Sequence, residues 1–295
     1  MLLNNIVLFQ KIVEKGSLSG AGRELGLSPT TVSERLTALE AHYGVVLLNR
    51  TTRAISLTEE GRTLVEGAKH VLGEIEDLET RIRHGAETLS GLIRISAPSD
   101  LGRTFVSREI NRFMAQHPSI SVELLLSDGN IDIVGQGFDI AVRYGAVTDS
   151  SLRVRSMGLW RRLVCAAPSY LQKHGTPRTP ADLRGHNCLI MRFGPNLDNV
   201  WQLGPNALKQ IITVQGDRVA NDSALVGQWA LAGHGIMFRS ELDVGADIKA
   251  GRLVEVLADH APQTPIHMLF PPSRAQPRRV RALADHLAAC LKSEI

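Results

Sequence analysis

Six apolar residues, Leu64, Ala68, Val71, Ile75, Leu78 and Ile82, follow one another at spacings of 4, 3, 4, 3 and 4. An unbroken 3.5-residue period over nearly three heptads is the pattern of a coiled-coil seam, because it keeps one stripe of the helix facing a partner. The acidic residues of the stretch, Glu59, Glu60, Glu66, Glu74, Glu76, Asp77 and Glu79, avoid that stripe. Such a helix either self-associates or packs on a neighbouring part of its own chain. It also divides the sequence. The periodic segments before it are helical, whereas beyond about residue 90 strand-length apolar runs alternate with helical stretches.

In the first 58 residues, Leu3, Ile6, Phe9 and Val13 form the apolar face of a first helix that Gly16 ends. Ser17 is placed to cap a second helix with Leu18, Ala21 and Leu25 on one side, and Gly26-Leu27 supplies a tight turn. Ser28 then caps a third helix with Pro29 at its first position, where the missing N–H is no loss. Val32, Leu36 and Leu39 point inward, leaving Thr30, Thr31, Ser33, Glu34 and Arg35 toward solvent; with Ser28 and Pro29 these are the candidates of this helix for DNA binding. Two short helices joined by a tight turn, the second opening on small polar groups and one Arg, suit a DNA major groove. Small residues let the backbone approach, hydroxyls reach bases or phosphates, and Arg35 is the bidentate candidate. Residues 44–57 read as two short strands around a basic tip, a wing that carries Arg50, Thr52 and Arg53 to the flanking backbone or minor groove. Taken singly, each of these residues also fits an ordinary solvated surface position.

Charge supports this division only locally. The chain has 295 residues and a net charge of +3, so no overall basic character advertises nucleic acid. Residues 1–58 hold six basic and four acidic side chains, and residues 59–87 hold four and eight. Beyond residue 90, Val122–Leu126, Ile140–Arg143 and Leu163–Ala166 read as strands, with helices at Val106–Gln116 and Ser223–Ala232. That alternation predicts an α/β domain with largely parallel sheets. Three cysteines are too few and too scattered for a disulfide framework or a Cys-rich zinc site, which implies a reducing compartment. No run approaches the roughly 20 apolar residues of a membrane helix, and no signal-peptide pattern opens the chain, so a soluble cytoplasmic protein is expected.

Ser17, Ala21, Leu25, Ser28, Val32, Ser33, Leu36, Leu39-Glu40, Gly44, Leu47, Arg50, Arg53, Leu57-Thr58 and Gly61 form a long, gap-free pattern that resembles the winged helix-turn-helix of the LysR-type transcriptional regulators. Residues 113–118, 139–145, 221–222 and 231–236 are similar to stretches of that family's effector domain. The resemblance implies an α+β multidomain chain. It comprises a winged helix-turn-helix DNA-binding domain at 1–58, a coiled-coil linker (dimerisation) helix and hinge at 59–90, and an α/β periplasmic-binding-protein-like effector-binding domain at 91–295. The last would have two subdomains, I (91–162 and 268–295) and II (163–267). The partners implied are double-stranded DNA at a promoter or operator, a small-molecule effector, and copies of the chain itself in a homodimer and homotetramer, with no membrane.

A cleft between α/β lobes, at the carboxyl ends of strands, is where such sheets bind ligands. Within this resemblance, Pro98-Ser99-Asp100 opens a helix whose N–H groups and Ser99 hydroxyl favour an anion, and Asn221-Asp222-Ser223 opens a second helix from the other lobe. Together they suggest a clamp for an anionic effector. Ser99 and Ser223 fit simple caps equally well, and Asp222 fits a cap or salt bridge better than an anion site. Arg143 suits either a ligand carboxylate or an ion pair with Asp128 or Asp139. Met237-Phe238-Arg239-Ser240 departs from the family pattern, as do Leu48 and Gly22 more mildly.

Enzymatic motifs are missing. There is no Gly-x-Ser-x-Gly, Walker loop, His-Glu-x-x-His or Cys-x-x-Cys, and Gly135-Gln136-Gly137 lacks the third glycine of a dinucleotide loop, so no cofactor or metal is expected. A stand-alone solute-binding protein conflicts with the DNA-binding module. A redox sensor would need Cys165 or Cys188, and Cys165 falls within an apolar strand where a thiol is an inert small hydrophobe.

Overall fold

The computed structural model describes residues 2–50, 55–84, 88–129, 132–147, 149–204, 209–272 and 276–292. The chain divides into two compact units, residues 1–91 and 92–295.

In the first unit, α1 (Leu2–Lys15), α2 (Leu18–Leu25) and α3 (Pro29–Tyr43) close around Leu8, Phe9, Ile12, Ala21, Val32, Leu36 and Leu39. Leu3, expected on the inner face of α1, is exposed instead. Ser17 accepts a hydrogen bond from the Gly20 N–H, and Gly26 ends α2 in the left-handed region at φ 65°. Ser28 then accepts from the Thr31 N–H at 3.1 Å. These two caps and one glycine fix the angle between α2 and α3.

The strands β1 (Leu48–Arg50) and β2 (Ile55–Leu57) pair antiparallel, Leu48 opposite Leu57. The wing tip, with Thr52 and Arg53, lies outside the described residues. The wing is tied to the helices by a hydrogen bond from the Leu47 N–H to the Glu40 carboxylate at 2.9 Å. Thr58 donates to the Val46 and Leu47 carbonyls and accepts from the Gly61 N–H. Gly61 has no alternative here, since a Cβ would overlap the Leu47 carbonyl oxygen.

From that joint α4 (Glu59–His84) runs for 26 residues. Its apolar stripe has two fates. Ala68 is buried in the core of the first unit, with Leu64, Val65 and Leu72 packed against it. Farther along, Val71 and Leu78 are each 52% exposed and Ile82 is 75% exposed. Packing on the chain's own core therefore accounts for the part of the stripe around Ala68, while Val71, Leu78 and Ile82 stay exposed in the single chain.

The second unit is built on a seven-stranded sheet, in the order β12 (Met237–Ser240), β6 (Arg153–Ala166), β14 (Gln263–Phe270), β5 (Ile140–Tyr144), β3 (Gly91–Ala97) and β4 (Ile120–Leu126). The seventh strand, β13 (Val254–Val256), pairs with β6. A three-stranded sheet of β11 (Arg218–Ala220), β7 (Leu189–Phe193) and β8 (Asn196–Leu197) and a two-stranded one of β9 (Val200–Leu203) and β10 (Gln210–Thr213) complete it.

The expected largely parallel sheet is not found. β3 with β5 and β11 with β7 are parallel, but β6 pairs antiparallel with β12, β13 and β14, as does β14 with β5. The reason is a pair of long strands shared by two lobes. Residues 153–161 of β6 face β14, and residues 162–166 face β12 and β13. Around the sheets lie a short helical turn α5 (Ser99–Leu101), which continues through a wide turn into α6 (Ser107–Gln116), and α7 (Pro168–His174), α8 (Ser223–Leu231), α9 (Glu241–Lys249) and α10 (Arg278–Lys292).

Candidate functional site

On α3, the buried side of Val32, Leu36 and Leu39 turns the opposite face outward, with Pro29, Thr30 and Glu34 exposed and Thr31, Ser33 and Arg35 half-buried. The Ser28 and Thr31 hydroxyls are 2.9 Å apart and bond each other, so they serve the first turn of the helix before any ligand. Arg50 falls in β1; only its backbone is described.

In the second unit, two adjoining cavities of about 370 and 420 Å³ share Ser127, Asp128 and Gly129. The first is lined by Pro98, Asp100, Arg143, Arg162, Asp198 and Arg239 among others, and the second by Ser99, Arg103, Arg192, Asn221 and Asp222. Six of the seven residues expected at an effector site thus reach one continuous cleft. Ser223 does not; it is buried in the first turn of α8.

The charges in the cleft are mostly matched. Arg239, on a strand whose four residues are all buried, is 6% exposed and lies 3.3 Å from Asp100 and 3.1 Å from Asp243. Burial works against its charge, and the carboxylates of Asp100 and Asp243 outweigh burial and hold its pKa above the ordinary value. The Tyr144 hydroxyl adds a 3.4 Å hydrogen bond to Asp100, and burial followed by the Asp100 charge pushes that phenol well up. Arg162 donates to Asp198 at 3.1 Å and stacks on the Phe238 ring at 3.9 Å. Asp222 caps α8 by accepting from the Leu225 N–H and meets Arg103 at 3.4 Å; the cap, more than that cation, holds its pKa down.

Arg143 and Asp128 are not neutralised in this way. Arg143 donates to the Val142 carbonyl at 2.6 Å and to the Ser96 hydroxyl at 2.8 Å, and forms an ion pair with neither Asp128 nor Asp139. Burial lowers its pKa, with Asp128 opposing. Asp128 accepts from the Ser99 N–H at 2.8 Å, and its other oxygen is buried with no hydrogen-bond partner among the described residues. The helix start that was expected to be free for an anion is therefore already occupied by a carboxylate of the chain itself. Burial, with Asp100 nearby, raises the pKa of Asp128 despite that hydrogen bond.

Residues 3–62 match the family described as "Bacterial regulatory helix-turn-helix protein, lysR family", and residues 86–291 match the "LysR substrate binding domain". This chain belongs to the LysR-type transcriptional regulators. An HTH-type transcriptional regulator of Xanthomonas campestris is 33% identical over 98% of this chain and 85% of that protein. The transcriptional activator TtdR of Escherichia coli K12 is 31% identical over 98% and 93%. The solved structure of CrgA from Neisseria meningitidis, 31% identical, covers 98% of both chains with a TM-score of 0.63. The regulator thus pairs a helix-turn-helix with an effector-binding domain of two subdomains. Its homologues are transcriptional regulators rather than enzymes, and among the described residues no helix is long and apolar enough to cross a membrane.

Sequence reasoning missed Arg239, Arg162, Asp198 and Tyr144 as site residues and treated Asp128 only as a partner for Arg143. One signal was available: a lone Arg in the apolar run Met237-Phe238-Arg239 must be buried, and a buried guanidinium requires carboxylates nearby. Cys165 and Cys188 are fully buried, and burial pushes both thiols up to about 12, so neither offers a thiolate near neutral pH.

The raised pKa of Asp128 has a stability consequence. Its carboxyl is easier to ionise in the unfolded chain, so stability is lost as pH rises from the ordinary carboxylate range through the folded-state value. Asp128→Asn keeps an acceptor for the Ser99 N–H without the charge. By urea denaturation it is expected to be more stable than the native protein at neutral pH, with the difference vanishing in acid.

Proposed function

We propose that this LysR-type regulator binds operator DNA as a cytoplasmic homodimer, paired again into a homotetramer, and is switched by a small anionic effector held between its two C-terminal subdomains. Residues 1–58 serve as the DNA-binding domain, 59–90 as the dimerisation helix and hinge, and 91–295 as the effector domain. In the last, 91–162 with 268–295 and 163–267 form the lobes. Ser28 to Arg35 address the major groove. Arg50, Thr52 and Arg53 address the flanking backbone or minor groove.

Arg143 carries the anionic reading. It is a partly buried cation whose hydrogen bonds go to neutral oxygens, in a cleft where Arg239 and Arg162 already have carboxylate partners. A ligand carboxylate completes it, since a partly desolvated guanidinium gains from a direct ion pair. Asp128 refines the ligand. An effector that also carries a hydroxyl or ammonium donor satisfies the buried second oxygen of Asp128, while a simple anion faces repulsion there. Asn221 and Ser99 border the same space. Arg143→Leu is expected to abolish the effector-dependent change in operator affinity while leaving operator binding without effector within twofold; a full response in this variant would remove the site.

Dimerisation rests on the exposed second half of the α4 stripe. Ile82→Asp, at a position 75% exposed, leaves the fold intact and is expected to lower the oligomer mass by light scattering and to weaken operator binding sharply, because a single head offers few contacts. For DNA, Arg35→Ala is expected to cost about 1–3 kcal/mol and relax sequence preference, whereas Arg50→Ala weakens binding to all sequences and reduces the salt slope by about 1. Filter binding over a salt series distinguishes the two.

A further inference from the structure

Away from the cleft, α6 and α10 bring together Glu109, His286 and Cys290. His286 and Cys290 stand four residues apart on one face of α10, the spacing at which two helical side chains converge on a single point. Glu109, on α6, is 0% exposed, yet it is a carboxylate. Its Oε1 accepts from Arg108 Nε at 2.8 Å and Arg112 Nη1 at 2.9 Å. Its Oε2 lies 3.4 Å from the imidazole Nε2 of His286. The Cys290 sulfur is 3.7 Å from the same Nε2, and the three donor atoms all lie within 4.8 Å of one another.

We propose that these three side chains form a binding site for a transition-metal dication of the Zn²⁺ class, a second input separate from the effector cleft. Ligands at the usual metal distances of roughly 2.0–2.3 Å in a tetrahedral centre stand about 3.3–3.7 Å apart. Two edges of the triangle already have that length, and a small rotation of the Cys290 or His286 side chain closes the third. Thiolate, imidazole and carboxylate together select Zn²⁺ or Co²⁺ over Mg²⁺ or Ca²⁺, which demand oxygen. Zinc loses bound water and gains the three protein bonds, and the thiol proton leaves to solvent. The fourth position stays open to water through the partly exposed His286 and Cys290.

Arg108 and Arg112 orient the carboxylate while opposing the dication, which sets a moderate affinity and supplies a control. The sequence, with scattered cysteines and no His-Glu-x-x-His or Cys-x-x-Cys, led to the expectation of no metal; the fold brings Glu109 to His286 and Cys290.

The test uses the tag-free full-length protein, freed of metal with a chelator and titrated with Zn²⁺ against a chromophoric competitor and, separately, with Co²⁺. One Zn²⁺ per chain is expected, with a near-ultraviolet thiolate-to-cobalt absorption band. Cys165 and Cys188 are fully buried, so the band reports Cys290. Cys290→Ser is expected to abolish the band, and it and His286→Ala each to weaken Zn²⁺ binding at least about tenfold. Arg112→Ala, at a side chain 61% exposed, leaves the fold intact and is expected to tighten binding several-fold by removing a competing cation. Zinc binding that is undiminished in Cys290→Ser and His286→Ala, no cobalt band in the native protein, or weaker binding in Arg112→Ala would each overturn the site.

Discussion

The buried ion network of Arg239 with Asp100 and Asp243 is the constraint around which the effector domain is arranged. Asp100 follows β3 and Arg239 belongs to β12, segments far apart in the sequence. Taking such groups out of water costs several kcal/mol per ion, and only close, multiple pairing repays it. The guanidinium has two carboxylates and Asp100 has the Tyr144 hydroxyl as well, so the charges persist within the protein interior. The same network forms one wall of the cleft. It bounds the space of the first cavity on that side.

Beside this wall the cleft is selective by what it lacks. Arg143 has hydrogen bonds without a counter-charge, and Asp128 has a helix start without a partner for its second oxygen. Opposite unsatisfied charges within one cavity favour a molecule carrying both an anion and a donor. On the proposed reading, a ligand would complement the incomplete partner on each side of the cavity.

Much of the first unit was legible in the sequence because its signals are local. Ser17, Ser28, Pro29 and Gly26 act within a few residues of where they stand, so caps, turn and apolar faces could be read directly. The heptad stripe was legible as well, but not its division between the core of the unit and solvent, which depends on how α4 meets the wing. The second unit was harder. Strand positions at Val122–Leu126, Ile140–Arg143 and Leu163–Ala166 followed from short apolar runs, whereas their directions did not, because pairing between β6 and β14 is set by partners about a hundred residues apart. The cleft showed the same limit. Residues at helix starts were found from capping chemistry, but Asp128 and Arg239 act through neighbours distant in sequence, and the carboxylate at Ser99 filled the position expected to be empty.

The junction of wing and α4 also has a mechanical meaning. With Gly61 seated against the Leu47 carbonyl and Thr58 holding two backbone oxygens, there is no slack between the long helix and the head that carries α3. A helix of 26 residues is a shaft about 39 Å long. Torque applied at its far end turns the recognition surface through the same angle, so the junction passes rotation of the long helix on to α3.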